Sequence, residues 1–405
     1  MDSVLILSLR RSTGRAVPRS LACLALVSLI ALIEPTQGQT TGNRSSQPNR
    51  GSVSQDLLDT YALTRVADTQ AKVTDIARTC SAVVTDTRRS RTDRKYASSL
   101  FAWALNRRGE MRNDQAAELV EAGRIDEAAK LDAAAAEDYR TAIQYGPANW
   151  RTFHNYAISL AMQGKYRLAI EQFDETIKLN PEYANAFFNR AELHFELGDF
   201  QSAIADYDRA IERDESDGQF YNSRGHSYFL LEHFSAALDD YAAAIQLSPK
   251  NVEFHTDLAD AHHYLGNWQQ AAEAYRSAVA VNNQYARAFQ NAAWLMATCP
   301  DVKYRKSELA ISAAKKAITL QKSEDAKALD TLAAAYASAG QFDTAEKTLA
   351  KAIDIATKDV RAELALRADL YSKRQPFRQP SAGANRQETT SDSQIRTASG
   401  PSDKR

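Results

Sequence analysis

The chain has 405 residues, is 44% apolar and 25% charged, and carries a formal net charge of -1. That is the composition of a soluble globular protein, with room for two or three domains or one long repeat array. The charge is uneven: residues 39–115 hold 13 basic and 8 acidic side chains, residues 116–372 sum to near -12, and the tail from Lys373 sums to near +4. A nucleic-acid reader needs a basic face on its folded body, and this body has the opposite sign. Only 15 glycines and 10 prolines occur, and alanine-rich stretches such as "DTLAAAYASAG" are common. Few breakers and much alanine favour helices.

Arg10, Arg11, Arg15 and Arg19 lead into the apolar run "LACLALVSLIALI", residues 21–33, and Gly38 follows as a small residue before a cut. Residues 1–38 therefore read as a signal peptide, with the chain exported to the periplasm or secreted. An uncleaved N-terminal anchor is the alternative, although a spanning helix needs about 20 apolar residues. Cys23 opens the run instead of following it, which disfavours a lipoprotein. No later stretch could span a membrane, so no membrane contact is expected of the mature chain. Residues 39–52 are polar and read as a disordered linker.

Residues 53–95 carry apolar side chains at helical spacing and read as an N-terminal helical cap. Their last stretch, "RRSRTDRK", is expected to be a solvated connecting loop. Residues 96–149 read as a degenerate, extended helix pair. "YASSLFAWALNRRGE" and "AAAAEDYRTAIQYGP" flank an insertion that is charged and alanine-rich, so it should lengthen the helices.

From residue 150 a period of 34 sets in. Ala169, Ala203, Ala237 and Ala271 share one phase, and Phe173, Tyr207, Tyr241 and Tyr275 another. Tyr166, Phe200, Phe234 and Trp268 form a third, and Ala157, Ala191, Gly225, Ala259 and Ala293 a fourth. Gly164, Gly198 and Gly266 mark a turn phase, with Glu232 in the missing slot, and Pro181 and Pro249 lie two periods apart. Small residues let two helices approach, and aromatics fill the space beside them. Glycine ends the first helix, and proline stops the second. Such a hairpin cannot bury its apolar face alone, so stacked copies share a core.

This period and pattern resemble the tetratricopeptide repeat (TPR). Units 150–183, 184–217, 218–251 and 252–285 match closely. The resemblance implies an all-α, right-handed superhelical solenoid of antiparallel helix pairs, whose first helices line a concave groove for partner segments. Residues 286–325 form a TPR-like unit whose turn, "TCPDVKYRKS", is lengthened. A further unit spans 326–359, a capping helix 360–378, and a disordered tail 379–405. The ending "WLMATCPD…DTLAAAYASAGQF", closed by "LYSKRQPFR", is similar to the C-terminal units of certain exported bacterial tetratricopeptide proteins.

No GxGxxG, Walker loop, HExxH or GxSxG occurs, so an enzyme is not expected, nor a cofactor. Cys299 has no histidine nearby in sequence, and Cys80 and Cys299 read as free, buried thiols. "DLADAHHYLGNW" places Asp260 and His263 at i, i+3, on one helical face. All seven histidines lie between 154 and 263 but on several phases, whereas a zinc site needs ligands converging on one point. Metal binding is not expected. His255 and His262 fall on packing phases, His154, His226 and His263 on the groove face.

The groove phases implied by the resemblance include Arg151, His154, Asn185, Phe188, Glu192 and Phe195. Asn222, His226, Phe229, Asp260, His263, Arg287, Gln290 and Trp294 continue them. The phase of Asn155, Asn189, Ser223, Asp257 and Asn291 is expected to bond the neighbouring backbone. Phe188, Phe195, Phe229 and Trp294 either line an aromatic channel or pack against neighbouring first helices. With few lysines at these phases, recognition of a C-terminal carboxylate is not expected. The function expected is a non-catalytic interaction scaffold with an unknown protein partner. The alternatives are a self-assembling or envelope-complex component and, less favoured, a metal-dependent site at His226, Asp260 and His263.

Overall fold

A computed structural model describes residues 53–321 and 324–380. The expected signal peptide, the 39–52 linker and residues 381–405 lie outside the described residues. Among the described residues there are seventeen α-helices and no strand. They divide into two compact units, joined at residues 215 and 216.

The first unit contains α1 (Gln55–Thr64), α2 (Gln70–Thr85), α3 (Arg91–Glu121) and α4 (Ile125–Tyr145). The pairs α5 (Trp150–Met162) with α6 (Tyr166–Leu179) and α7 (Ala184–Glu196) with α8 (Phe200–Arg213) follow. Capping explains where the early helices begin. Thr69 accepts a hydrogen bond from the Lys72 N–H, and Ser90 accepts one from the Asp93 N–H, satisfying donors that a helix start leaves free. The Ser90 cap corrects the expected loop: Arg91–Lys95 form the first turn of α3. The insertion is absorbed as helix, so α3 runs 31 residues and α4 runs 21. Inside this long pair a Cβ on Gly109 would lie 2.6 Å from the ring of Tyr139, so only glycine lets the two helices close over that tyrosine. Cys80 is buried in the core shared by α2 and α3.

The second unit pairs α9 (Gly218–Leu230) with α10 (Phe234–Leu247) and α11 (Val252–Tyr264) with α12 (Trp268–Val281). Next come α13 (Ala286–Thr298) with α14 (Ser307–Gln321) and α15 (Ala326–Ser338) with α16 (Phe342–Ile355). The last helix, α17 (Lys358–Ser372), ends well before the expected residue 378. Residues 375–380 leave it without helical structure.

The small phases do what their size allows. Ala157, Ala191, Ala259 and Ala293 are wholly buried, as are Ala169, Ala203, Ala237 and Ala271. Tyr207, Tyr241 and Tyr275 fill the space beside them at 2% exposure or less. The turn between paired helices is also shared. At Gly164 (φ 71°) the glycine N–H donates to Ala161 O at 2.8 Å, and Lys165 N–H donates to Leu160 O at 2.9 Å. Both bonds occupy carbonyls that a helix end leaves open. Gly198, Gly266 and Gly340 repeat the conformation. Glu232 adopts it too, at φ 62°, and His233 N–H reaches Tyr228 O at 2.9 Å. A non-glycine residue pays roughly 1–2 kcal/mol for this left-handed backbone.

Two substitutions isolate that cost. Glu232→Gly should raise the thermal midpoint, with a gain of up to about 1 kcal/mol after the extra unfolded-state entropy of glycine is subtracted. Gly198→Ala should lower it by about 1 kcal/mol, because a Cβ there meets nothing within 4 Å and the penalty is purely conformational. Melting curves followed by circular dichroism decide both; equal midpoints would mean that the turn carries no strain.

Candidate functional site

The first helices of the second unit carry a continuous polar chain. It begins at Tyr241 on α10, whose hydroxyl lies 3.0 Å from His226 Nδ1 on α9. His226 Nε2 faces Asp257 Oδ2 on α11 at 3.1 Å, and Asn222 Nδ2 donates to the same oxygen at 3.0 Å. The tautomer that satisfies both ends holds its proton on Nε2 and accepts at Nδ1. Arg287 Nη2 on α13 then donates to Asp257 Oδ1 at 2.8 Å and to Asp260 Oδ2 at 2.6 Å. Asn291 Nδ2 donates to both oxygens of Asp260, at 2.9 and 3.1 Å. The Tyr275 hydroxyl donates to Asp260 Oδ1 at 2.6 Å, and His263 Nδ1 lies 3.1 Å from that hydroxyl. Finally His263 Nε2 lies 2.9 Å from the side-chain amide of Gln379.

The electrostatics follow from burial and pairing. Burial alone would push Asp257 up, but Arg287 and His226 outweigh it and hold the carboxyl well below its ordinary range. Burial lowers the His263 pKa, which favours a neutral ring. A neutral ring that donates from Nδ1 to the Tyr275 oxygen must accept at Nε2. The Gln379 amide therefore satisfies the chain when its NH2 turns toward the ring. Burial and the neighbouring carboxylates raise Tyr241 and Tyr275 well above ordinary phenols, so both remain hydroxyl donors.

A simple register rule organises these contacts. Each aromatic on the second helix meets the first-helix residue fifteen positions earlier. Tyr207 donates to Glu192 Oε1 at 2.6 Å, Tyr241 meets His226, and Tyr275 meets Asp260. Where the earlier residue is apolar, as at Ile158, its counterpart Phe173 has no hydroxyl, and the two share one apolar cluster. At Glu192, His226 and Asp260 the polar first-helix side chain thus meets a buried hydroxyl.

The structure places Asp260 and His263 together with His226 and Arg287, as parts of one hydrogen-bonded chain. The ring nitrogens of both histidines and the Asp260 carboxylate are occupied by protein partners, and no group of three His, Cys, Asp or Glu suited to a metal ion occurs among the described residues. Asp257 and Asn291 differ from expectation: they bond neighbouring side chains instead of backbone. Gln290 is buried, and its Oε1 accepts from Gln321 at 3.1 Å.

Phe188 and Phe229 are buried within their own units, and Phe195 and Trp294 are half-buried. Phe229 is 5% exposed and packs on Phe234 and Tyr264, with ring centroids 5.2 and 5.1 Å away. Trp294 is partly covered by Phe377, at 5.8 Å. In the first unit Phe188 is 3% exposed and packs on Tyr207, while Phe195 is half-buried against Phe200. Arg151 is exposed, with its guanidinium 4.4 Å from the Trp150 ring centroid. Asn185 and Glu192 are half-buried.

His154 is buried at 4% exposure among Phe173 and Tyr183, and its Nδ1 has no hydrogen-bond partner. Burial pushes its pKa down to about 4. Cys299 is also buried, and burial raises its thiol pKa, the opposite of an activated nucleophile.

Sequence reasoning missed the tyrosine hydroxyls, the shared Arg287 fork and Gln379. It also missed a recurring ion pair. Arg190 clasps Asp206 through Nε and Nη2, at 2.7 and 2.6 Å, and Arg224 clasps Asp240 at 2.9 and 2.7 Å. An Arg sixteen residues before an Asp, repeated one period later, was the available signal.

Tetratricopeptide-repeat family models match residues 154–218, 225–266 and 326–359. No curated protein matches the sequence. Among solved structures, yeast Tom70 is 16% identical with a TM-score of 0.47, covering 93% of this chain and 72% of its own. A tetratricopeptide repeat protein from Parabacteroides merdae is 18% identical with a TM-score of 0.47, covering 65% of this chain and 98% of its own. YrrB, described as a TPR protein with an unusual peptide-binding site, is 21% identical with a TM-score of 0.38, covering 48% and 97%.

Arg287→Met leaves Asp257 and Asp260 without their shared cation, and should cost about 3–5 kcal/mol of stability. Arg124→Ala, which breaks an exposed pair with Glu127, should barely move the melting temperature. Equal effects would show that Arg287 does not hold the carboxylates. For His154, the folded pKa lies below its unfolded value of 6.5, so its neutral form stabilises the fold above that pH. The contribution is lost as pH falls from 6.5 towards 4, by at most about 3 kcal/mol. His154→Phe should flatten that part of the stability-versus-pH curve; parallel curves for variant and parent would refute it.

Proposed function

We propose that the chain is a non-catalytic interaction scaffold that binds a segment of a partner protein along the inner face of its first helices. The observation that carries this reading is the set of tetratricopeptide hairpins, each presenting a polar or aromatic first-helix row instead of a reactive constellation. Buried side chains on that row are locked by hydrogen bonds, which gives a partner a rigid surface with little ordering cost. The half-buried and exposed members, such as Arg151 and Asn185, are the groups placed to recognise it. We also propose export, on the strength of the arginine-flanked apolar run at 21–33 and Gly38.

Site-specific photo-crosslinking tests the binding surface. A benzophenone side chain would replace Arg151 or Glu253 on first helices, and Arg209 or Gln269 on the exposed faces of second helices. Covalent adducts with a partner polypeptide should form from the first two positions and not from the last two. Adducts only from the second helices would move the binding surface to the other face, and adducts from none would overturn the scaffold reading.

A further inference from the structure

Among the turns between paired helices from α5 onward, the one after α13 is lengthened, and it leaves backbone acceptors for another segment. In the other turns from α5 onward a left-handed residue, glycine or Glu232, folds the chain back, so that the helix carbonyls are met locally. After α13 the corresponding position is Pro300, and no such turn forms. The last carbonyls are met from further away. Lys306 N–H donates to Met296 O at 3.0 Å, Arg378 Nη1 donates to Ala297 O at 2.9 Å, and Gln379 N–H donates to Thr298 O at 2.9 Å. Two of these three donors belong to the segment after α17.

That segment is built to travel back. Arg374 takes a left-handed conformation, φ 59°, and reverses the chain as α17 ends, with Gln375 N–H on Leu370 O at 2.9 Å. The following sequence, "QPFRQP", has prolines at 376 and 380 that hold the residues before them extended. Phe377 lies over Trp294, and the Arg367 guanidinium sits 5.3 and 5.1 Å from the centroids of those two rings. Arg367 is itself held by both oxygens of Asp330, at 2.9 and 2.8 Å. Beyond Phe377, Arg378 and Gln379 reach α13, and the Gln379 side chain ends on His263 of α11. An extended strap of five residues thus lies on two first helices, making the aromatic, cationic, main-chain and amide contacts that a bound peptide would make.

We infer that the face formed by Trp294, the α13 carbonyl end and His263 is a receptor for an extended peptide carrying aromatic, arginine and glutamine side chains in succession, and that strap 375–379 is its internal occupant, displaced when such a partner segment binds. The inference rests on the scaffold reading above and names the chemistry of one ligand. The strap is tethered directly to α17, so its effective concentration is high and a free peptide competes at a disadvantage. The affinity of the intact chain for a partner is reduced by the fraction of time the strap is away.

The probe is a fluorescently labelled synthetic peptide, KRQPFRQP, equivalent to residues 373–380. The receptor is the full chain carrying Phe377→Ala, Arg378→Ala and Gln379→Ala together. Fluorescence anisotropy should show binding to this variant at least about tenfold tighter than to the parent. The same peptide with those three residues replaced by alanine should not bind. No binding by a variant that keeps the parent's helicity and cooperative melt would overturn the inference. Hydrogen exchange on the unaltered chain gives a second reading that needs no variant to fold. The Gln379 amide should be protected, and excess KRQPFRQP should speed its exchange while the alanine peptide does not. An unprotected Gln379 amide, or exchange unchanged by excess peptide, would equally overturn it. Crosslinks from Arg151 and Glu253 together with either negative result would leave the scaffold reading standing and remove only the strap.

Discussion

The structure depends on close approach of paired helices at alanine and glycine. A helix of thirteen or fourteen residues is too short to be stable alone in water, and its apolar stripe must be covered. Wholly buried alanines at Ala157, Ala169, Ala191 and Ala203 let the backbones meet, and in the four regular hairpins Phe173, Tyr207, Tyr241 and Tyr275 fill the space beside them. Larger residues at those points would hold the helices apart and open cavities around each tyrosine. The position of the aromatic then fixes what it can touch. Its ring points across the hairpin to the first-helix residue fifteen positions earlier, so the hydroxyls of Tyr207, Tyr241 and Tyr275 reach the same row in three successive repeats.

The period made the hairpins legible from the residues, because small, aromatic and turn phases recur every 34 positions. It also pointed to the face on which Asp260 and His263 lie. What those residues do there was not legible, for a physical reason. A phase reports which way a side chain faces along its own helix and is silent about partners on the next one. Asp257 was assigned to backbone bonding from its phase, yet its partners are Arg287, His226 and Asn222, at least 30 residues away in sequence. The aromatics were ambiguous for the same reason. Phe229 is covered by Phe234 and by Tyr264 of the following hairpin, neighbours that periodicity alone does not rank. The start of α3 was misjudged because a run of arginines reads as solvated loop, while the local signal was the single cap Ser90.

The buried chain from Tyr241 to Gln379 is a costly way to stabilise a fold. Removing Asp257, Asp260 and Arg287 from water costs several kcal/mol per charge, and their attraction recovers that only while every partner is in place. What the arrangement supplies is register. Neighbouring hairpins of one repeat family share similar apolar faces and could stack shifted by a helical turn with modest loss of burial. With Arg287 bridging two carboxylates of the preceding hairpin, any shift strands at least one buried charge. The unique residues of the repeat set its alignment, and the repeated residues set its spacing.

The same logic explains why the irregular turn and the strap occur together. A helix end that lacks its glycine turn exposes carbonyls that must find donors or remain in contact with water. Ala297 and Thr298 find theirs on a segment about 80 residues further along the chain. Had Pro300 been glycine in a regular turn, those carbonyls would have been met locally and the strap would have had only Trp294 and His263 to hold. The departure from the repeat is therefore a feature with a defined counterpart, and it lies where the first-helix row is most polar. Consistency along the repeat builds the scaffold, and the lengthened turn after α13 is where a peptide-like segment is seated.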